Sequence, residues 1–132
     1  MRKYLLLLCI PLFILGCKKE QTPGTEVITK GSKWNLKIGS NHAEVYSQMQ
    51  ILGAEKDFSN MALITPEAKL VAQDLNKPYD AELQHYSTWT FSFSAAVKDP
   101  NKSGRTSVRL YFSNGKLGQI ESTYSEDPII YN

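Results

Sequence analysis

The chain has 132 residues, 42% of them hydrophobic and 21% charged, with 15 basic and 13 acidic side chains and a formal net charge of +2. That size suits a single domain. Nucleic-acid binders show a basic excess with clustered Lys and Arg, and three arginines among near-balanced charges argue against that class.

The first seventeen residues run from a basic start at Arg2 and Lys3, through an apolar stretch from Tyr4 to Leu15, to Gly16-Cys17. This is the layout of a secretory signal. The apolar stretch falls short of the roughly 20 residues that cross about 30 Å of hydrocarbon. Residues 1–16 are therefore read as a cleaved signal peptide. The segment Ile14-Leu15-Gly16-Cys17 resembles the lipobox of bacterial lipoproteins, an aliphatic residue, a tolerant position, a small residue and a cysteine. The resemblance implies cleavage between Gly16 and Cys17 and diacylglycerol on the Cys17 thiol, usually with acylation of the new amine. Two or more acyl chains at about 0.8 kcal/mol per buried methylene suffice for stable anchoring. An ordinary signal peptide that leaves Cys17 as a thiol is the alternative.

Processing would change the chemistry of the remainder. Cys9 leaves with the signal and Cys17 is consumed by lipid, so no thiol is left for a disulfide, a zinc site or nucleophilic catalysis. Loss of Arg2 and Lys3 leaves equal numbers of acidic and basic side chains.

Residues 17–33, the lipidated cysteine and a polar stretch with Pro23, Gly24 and Gly31, read as a flexible tether. A coil of about 15 residues reaches on the order of 20 Å. One domain is expected over 34–124, followed by a C-terminal tail at 125–132. Trp34, Leu36 and Ile38 alternate with Asn35 and Lys37, as in a short strand or an arm laid on the core. Asn41 with Glu44 three residues later forms a capping-box pattern, Val45, Met49 and Leu52 follow at helical spacing, and Gly53 can stop the helix. This predicts a helix over 42–52.

After a stretch from Ala54 to Ile64 with no clear period, Thr65-Pro66-Glu67 offers a capping hydroxyl, a first-position proline and a carboxylate. Leu70, Val71 and Leu75 supply a stripe, so a second helix is expected over 66–76. Then the period becomes two. Trp89, Phe91 and Phe93 alternate with Thr90, Ser92 and Ser94, and Val108, Leu110 and Phe112 repeat the pattern. Asn114-Gly115 marks a type I′ hairpin. In the third strand Leu117 and Ile120 fall on opposite faces unless a bulge near Gly118 brings Ile120, Ser122 and Tyr124 inward. The predicted class is α+β, two helices followed by a three-stranded antiparallel sheet (ααβββ) in two layers.

Leu36-Lys37-Ile38-Gly39, Asn41, Val45 and the closing Leu110-Tyr111-Phe112-Ser113-Asn114-Gly115-Lys116-Leu117, behind a lipobox, resemble the small outer-membrane lipoproteins represented by BamE (SmpA/OmlA), whose architecture is shared with the repeats of the β-lactamase inhibitor protein. The resemblance implies a non-catalytic binding or scaffold role in outer-membrane assembly or maintenance. The rival role is an inhibitor or immunity protein that binds an enzyme or toxin. Lys18 stands where some Gram-negative bacteria use aspartate for inner-membrane retention, which favours the outer membrane facing the periplasm.

No catalytic constellation, metal site or cofactor motif is visible. His42 and His85 lack ligand spacing, and His42 sits in a first helical turn where an exposed polar residue is ordinary. Asp99, Asn101, Ser103 and Gly104 copy half of a calcium loop, but its twelfth position is Leu110, so a hairpin loop is the better reading. Glu121, Glu126 and Asp127 read as a solvated acidic edge. The most suggestive surface is the outer sheet face with Thr90, Ser92, Ser94, Arg109 and Tyr111, because Tyr and Arg are enriched in interface hot spots. The expected partners are a lipid membrane through acylated Cys17 and a protein, with no nucleic acid.

Overall fold

The computed structural model describes residues 23–129, and Gly16 and Cys17 lie outside them. In chain order the elements are β1 (Gly24–Ile28), β2 (Ser32–Lys33), β3 (Leu36–Lys37), α1 (His42–Lys56), β4 (Asn60–Ile64), β5 (Leu70–Asp74), a 3-10 helix (Ala81–His85), β6 (Thr88–Ala95), β7 (Lys102–Ser113) and β8 (Lys116–Pro128). Six strands form one antiparallel sheet in the order β1-β8-β7-β6-β4-β5, and β2 and β3 form a separate small hairpin. The fold is mostly β with one α-helix among the described residues, so the expected ααβββ arrangement is wrong.

The capping box at Asn41 is present. Its side chain accepts from the Glu44 N–H at 2.9 Å, and the Glu44 carboxylate accepts from the Asn41 N–H at 2.9 Å. The helix runs a turn past Gly53 and ends at Asp57, which takes the left-handed conformation at φ 63°. Gly53 has a different task from the stop expected of it. A Cβ there would lie 2.5 Å from the Phe58 carbonyl oxygen, so glycine lets the returning chain cross the helix closely.

The second expected helix is instead the β4–β5 hairpin. The Thr65 hydroxyl accepts from Lys69 N–H at 3.0 Å, while Thr65 C=O accepts from Ala68 N–H at 2.8 Å and Thr65 N–H donates to Lys69 C=O at 2.9 Å. Those bonds close a tight turn that a helix would have to break. Pro66 suits the first inner position of such a turn as well as it suits a helix start. What decides between them is the free edge of β4. Pairing Ile64 with Leu70 and Asn60 with Asp74 gives that edge a full ladder. A helix would leave β4's backbone groups unpaired on that side. Ala68 sits at φ 67°, a conformation that costs an L-residue about 1–2 kcal/mol. Ala68→Gly is expected to stabilise the chain by about 1 kcal/mol in urea unfolding, and a loss of stability would refute this turn geometry.

The last three strands are as the alternation predicts. Trp89, Phe91, Phe93, Val108, Leu110 and Phe112 are buried, and Asn114 and Gly115 hold φ values of 54° and 76° in the hairpin turn. Phe112 pairs with Leu117 while Tyr111 pairs with Gln119, so Gly118 is the extra residue of a bulge. Ile120, Ser122 and Tyr124 accordingly point inward.

The segments expected as a tether at 17–33 and a tail at 125–132 both contain strand residues. Gly24–Ile28 belongs to the sheet, because β1 pairs with β8 over five residues, Gly24 opposite Tyr124 through Ile28 opposite Ile120. Polar composition suits an edge strand whose outer side faces water, which is why it imitates a linker. At the other end β8 continues to Pro128, opposite Lys102.

α1 and the β2–β3 hairpin cover one face of the sheet. Val45, Tyr46, Met49 and Leu52 from the helix meet Leu63, Trp89, Leu110 and Leu117 from the sheet in one core. Trp34 occupies the hairpin turn at φ 52° and packs edge-on against Phe93, with ring centroids 5.6 Å apart. The tyrosine hydroxyl of Tyr46 lies 2.7 Å from the Lys77 carbonyl and 3.1 Å from that of Asp74, and Gln50 donates to the Leu75 carbonyl at 2.9 Å. These bonds fasten the segment after β5 to the helix, and no described element covers the opposite face of the sheet.

Candidate binding face

The uncovered face carries all five residues singled out from sequence. Thr90, Ser92 and Ser94 project from β6, and Arg109 and Tyr111 from β7, because they alternate with the buried Trp89, Phe91, Val108 and Leu110. Register sets Arg109 between Thr90 and Glu121, and Ser92 opposite Ser107. One continuous row across the sheet reads Val27, Glu121, Arg109, Thr90, Ala62 and Ala72.

The five residues are not equivalent. Arg105 donates to the Ser92 hydroxyl at 2.6 Å, and the Tyr111 hydroxyl donates to Glu121 at 3.0 Å. The Arg109 side chain has no hydrogen bond or ion pair among the described residues, although Glu121 is its cross-strand neighbour. The Glu121 carboxylate is turned toward Tyr111 instead. A guanidinium presents five donors in a planar fork and matches carboxylates in a bidentate fashion, so Arg109 offers this face an open charged anchor.

Sequence reading missed the half of this surface supplied by β4 and β5. Ala62, Ile64, Leu70 and Ala72 form a shallow apolar groove that runs up to Thr90, Ser92 and Arg109. Leu70 is 69% exposed. The signal was present as two short apolar runs, Met61 to Ile64 and Leu70 to Ala72, separated by a proline-containing turn.

Other candidates separate clearly. His42 is buried rather than exposed, stacked on Phe112 with ring centroids 3.9 Å apart and 5.4 Å from Trp89. Its Nε2 has no hydrogen-bond partner among the described residues. Burial lowers its pKa, and the Tyr86 backbone opposes the shift. His85 is exposed and lies 3.7 Å from Glu82. The Asp99 carboxylate accepts from the Asn101 N–H at 2.9 Å, and β7 begins at Lys102, so that loop is a side-chain-closed turn. Glu126 accepts from the Tyr124 hydroxyl at 2.9 Å. Burial and that carboxylate both raise the Tyr124 pKa. The described residues contain no group of three or more His, Cys, Asp or Glu side chains able to hold a metal ion.

No helix among the described residues is long and apolar enough to cross a membrane. No protein-family model matches the chain, and neither a curated protein nor a solved structure matches it.

Proposed function

We propose that this chain is a lipid-anchored protein of the bacterial envelope, attached through Cys17, that acts without catalysis by binding a protein partner on the uncovered face of its sheet. The observation that carries the binding reading is Arg109, whose guanidinium has no hydrogen bond or ion pair among the described residues and which stands between Thr90 and Glu121 on a sheet face that no other described element covers. Small side chains permit close approach of a partner backbone, and arginine supplies the kind of anchor found in interface hot spots. The anchor reading rests on Ile14-Leu15-Gly16-Cys17 at the end of the apolar stretch. The outer membrane, facing the periplasm, is its proposed site, with a scaffold role in assembly or maintenance of that membrane.

With β1 beginning at Gly24, residues 18–23 separate the lipid from the sheet. Seven steps of extended chain span at most about 24 Å. The domain would therefore stand close to the lipid surface, with its partner met there.

Two measurements test the halves separately. Radioactive palmitate is expected to label the wild type and not Cys17→Ala, and equal labelling of both would remove the anchor. For the face, the full chain is used as bait in an envelope extract beside an Arg109→Glu variant. Capture of one component by the wild type and at least tenfold less by the variant is expected, and undiminished capture by Arg109→Glu would place the partner elsewhere.

A further inference from the structure

Among the described residues, Val27, Ile51, Leu70, Val71 and Ile129 are the exposed large hydrophobics, and two of them are consecutive on β5. β5 is also an edge of the sheet, bonded to β4 on one side and open on the other. Natural edge strands are blunted by proline, by lysine, by charges pointing inward or by a bulge. Leu70-Val71-Ala72-Gln73-Asp74 contains no proline, lysine or register shift. The opposite edge, β1, is protected, since Glu26 lies on the inner side of the strand and is ion-paired with Lys33.

The surroundings of β5 match its open edge. On the outer side, Leu70 and Ala72 continue the apolar groove formed with Ala62 and Ile64. On the inner side, a second groove of about 580 Å³ runs beside Leu63, Val71, Tyr79, Leu83 and Tyr86. A strand laid against β5 would send successive side chains alternately into these two grooves. Strand addition works in this way, with main-chain bonds giving affinity and alternate side chains giving specificity. Lys69 precedes β5 and has no ion pair among the described residues, whereas the far part of the inner groove carries Lys77 together with Asp80 and Glu82.

We infer that β5 receives an extended segment of a partner protein as a seventh strand, apolar at alternate positions and carrying a carboxylate at the end that meets Lys69. A second copy of this chain fits poorly. Pairing β5 with itself about Ala72 sets apolar Leu70 against charged Asp74 and Val71 against Gln73. The inference deepens the binding reading above and rests on it, but is independent of the lipid anchor.

The probe is a phage-displayed library of random linear nine-residue peptides, panned against the full chain purified in detergent. Enrichment of peptides with alternating apolar residues and a terminal acidic residue is expected. A synthetic copy should bind the wild type and the α1 surface variant Ile51→Asp equally, and should bind Leu70→Asp and Ala72→Pro at least tenfold more weakly. Leu70 is exposed, so Leu70→Asp keeps the fold if Ala72→Pro does not, and circular dichroism checks both. Absence of enrichment, binding that survives Leu70→Asp, or dimerisation through β5 in the ultracentrifuge would overturn the proposal. A chain that takes no palmitate yet binds these peptides would sink the anchor alone.

Discussion

Trp89→Ala is expected to lower the unfolding free energy by about 3–5 kcal/mol, the range for truncating a large buried aromatic. Trp89 is fully buried near the start of β6, a strand in the interior of the sheet. Its ring lies 4.7 Å from Phe112, 5.4 Å from His42 and 6.4 Å from Tyr46, so it joins the middle of the sheet to the first turns of α1. Its indole N–H points to the Leu83 carbonyl at 3.4 Å, which reaches the 3-10 helix as well. Removing it opens a cavity lined by three elements whose positions depend on one another. Against a total of roughly 5–15 kcal/mol for a domain of this kind, such a loss brings the chain to the edge of unfolding. Urea denaturation followed by far-ultraviolet circular dichroism measures it, and a loss under about 1 kcal/mol would show that the helix and sheet are held together elsewhere.

The second large effect is on pH dependence and comes from His42. Its pKa in the folded chain lies below the ordinary value of 6.5, chiefly because burial disfavours the imidazolium. Its place in the first turn of α1 adds the positive end of the helix dipole, which also disfavours a cation. The unfolded chain therefore binds the proton more readily than the folded one. The resulting stability is complete above the unfolded pKa and is lost as pH falls from about 6.5 toward the folded value. One proton sets the ceiling on the slope, about 1.4 kcal/mol per pH unit. His42→Leu removes this contribution, so the urea midpoint of the wild type should fall more between pH 7 and pH 5 than that of the variant. Parallel pH profiles for the two proteins would show that His42 is charged or solvated in the fold.

Much of the local structure was legible in the sequence because its causes are local. Asn41 and Glu44 cap each other within one turn, Asn114-Gly115 holds two left-handed residues, and the alternation around Trp89 and Leu110 puts one side of each strand in the core. The bulge at Gly118 was legible for a related reason. A one-residue slip would have put Ile120 and Tyr124 in water. The face bearing Thr90, Ser92, Ser94, Arg109 and Tyr111 follows from the same alternation.

The errors share a physical origin in pairings between distant segments. Thr65-Pro66-Glu67 suits a helix start or a turn equally well, and the deciding partner is β4's open edge. Gly24–Ile28 has the composition of a linker, and only the free side of β8, nearly a hundred residues away, makes it a strand. His42 has the sequence context of a surface residue, yet Phe112 supplies the ring that stacks on it.

By itself the sequence determined the capped helix, the aromatic hairpin strands, the bulge and the outward row of hydroxyls, because each depends on neighbours within a few residues. The tertiary structure decided that the sheet has six strands rather than three. It also decided that, among the described residues, β5 is an open edge between two grooves and Arg109 lies on an uncovered face without an ion pair. Those outcomes turn on which distant backbone groups find partners, and a backbone hydrogen bond carries no side-chain signature from which its partner could be read.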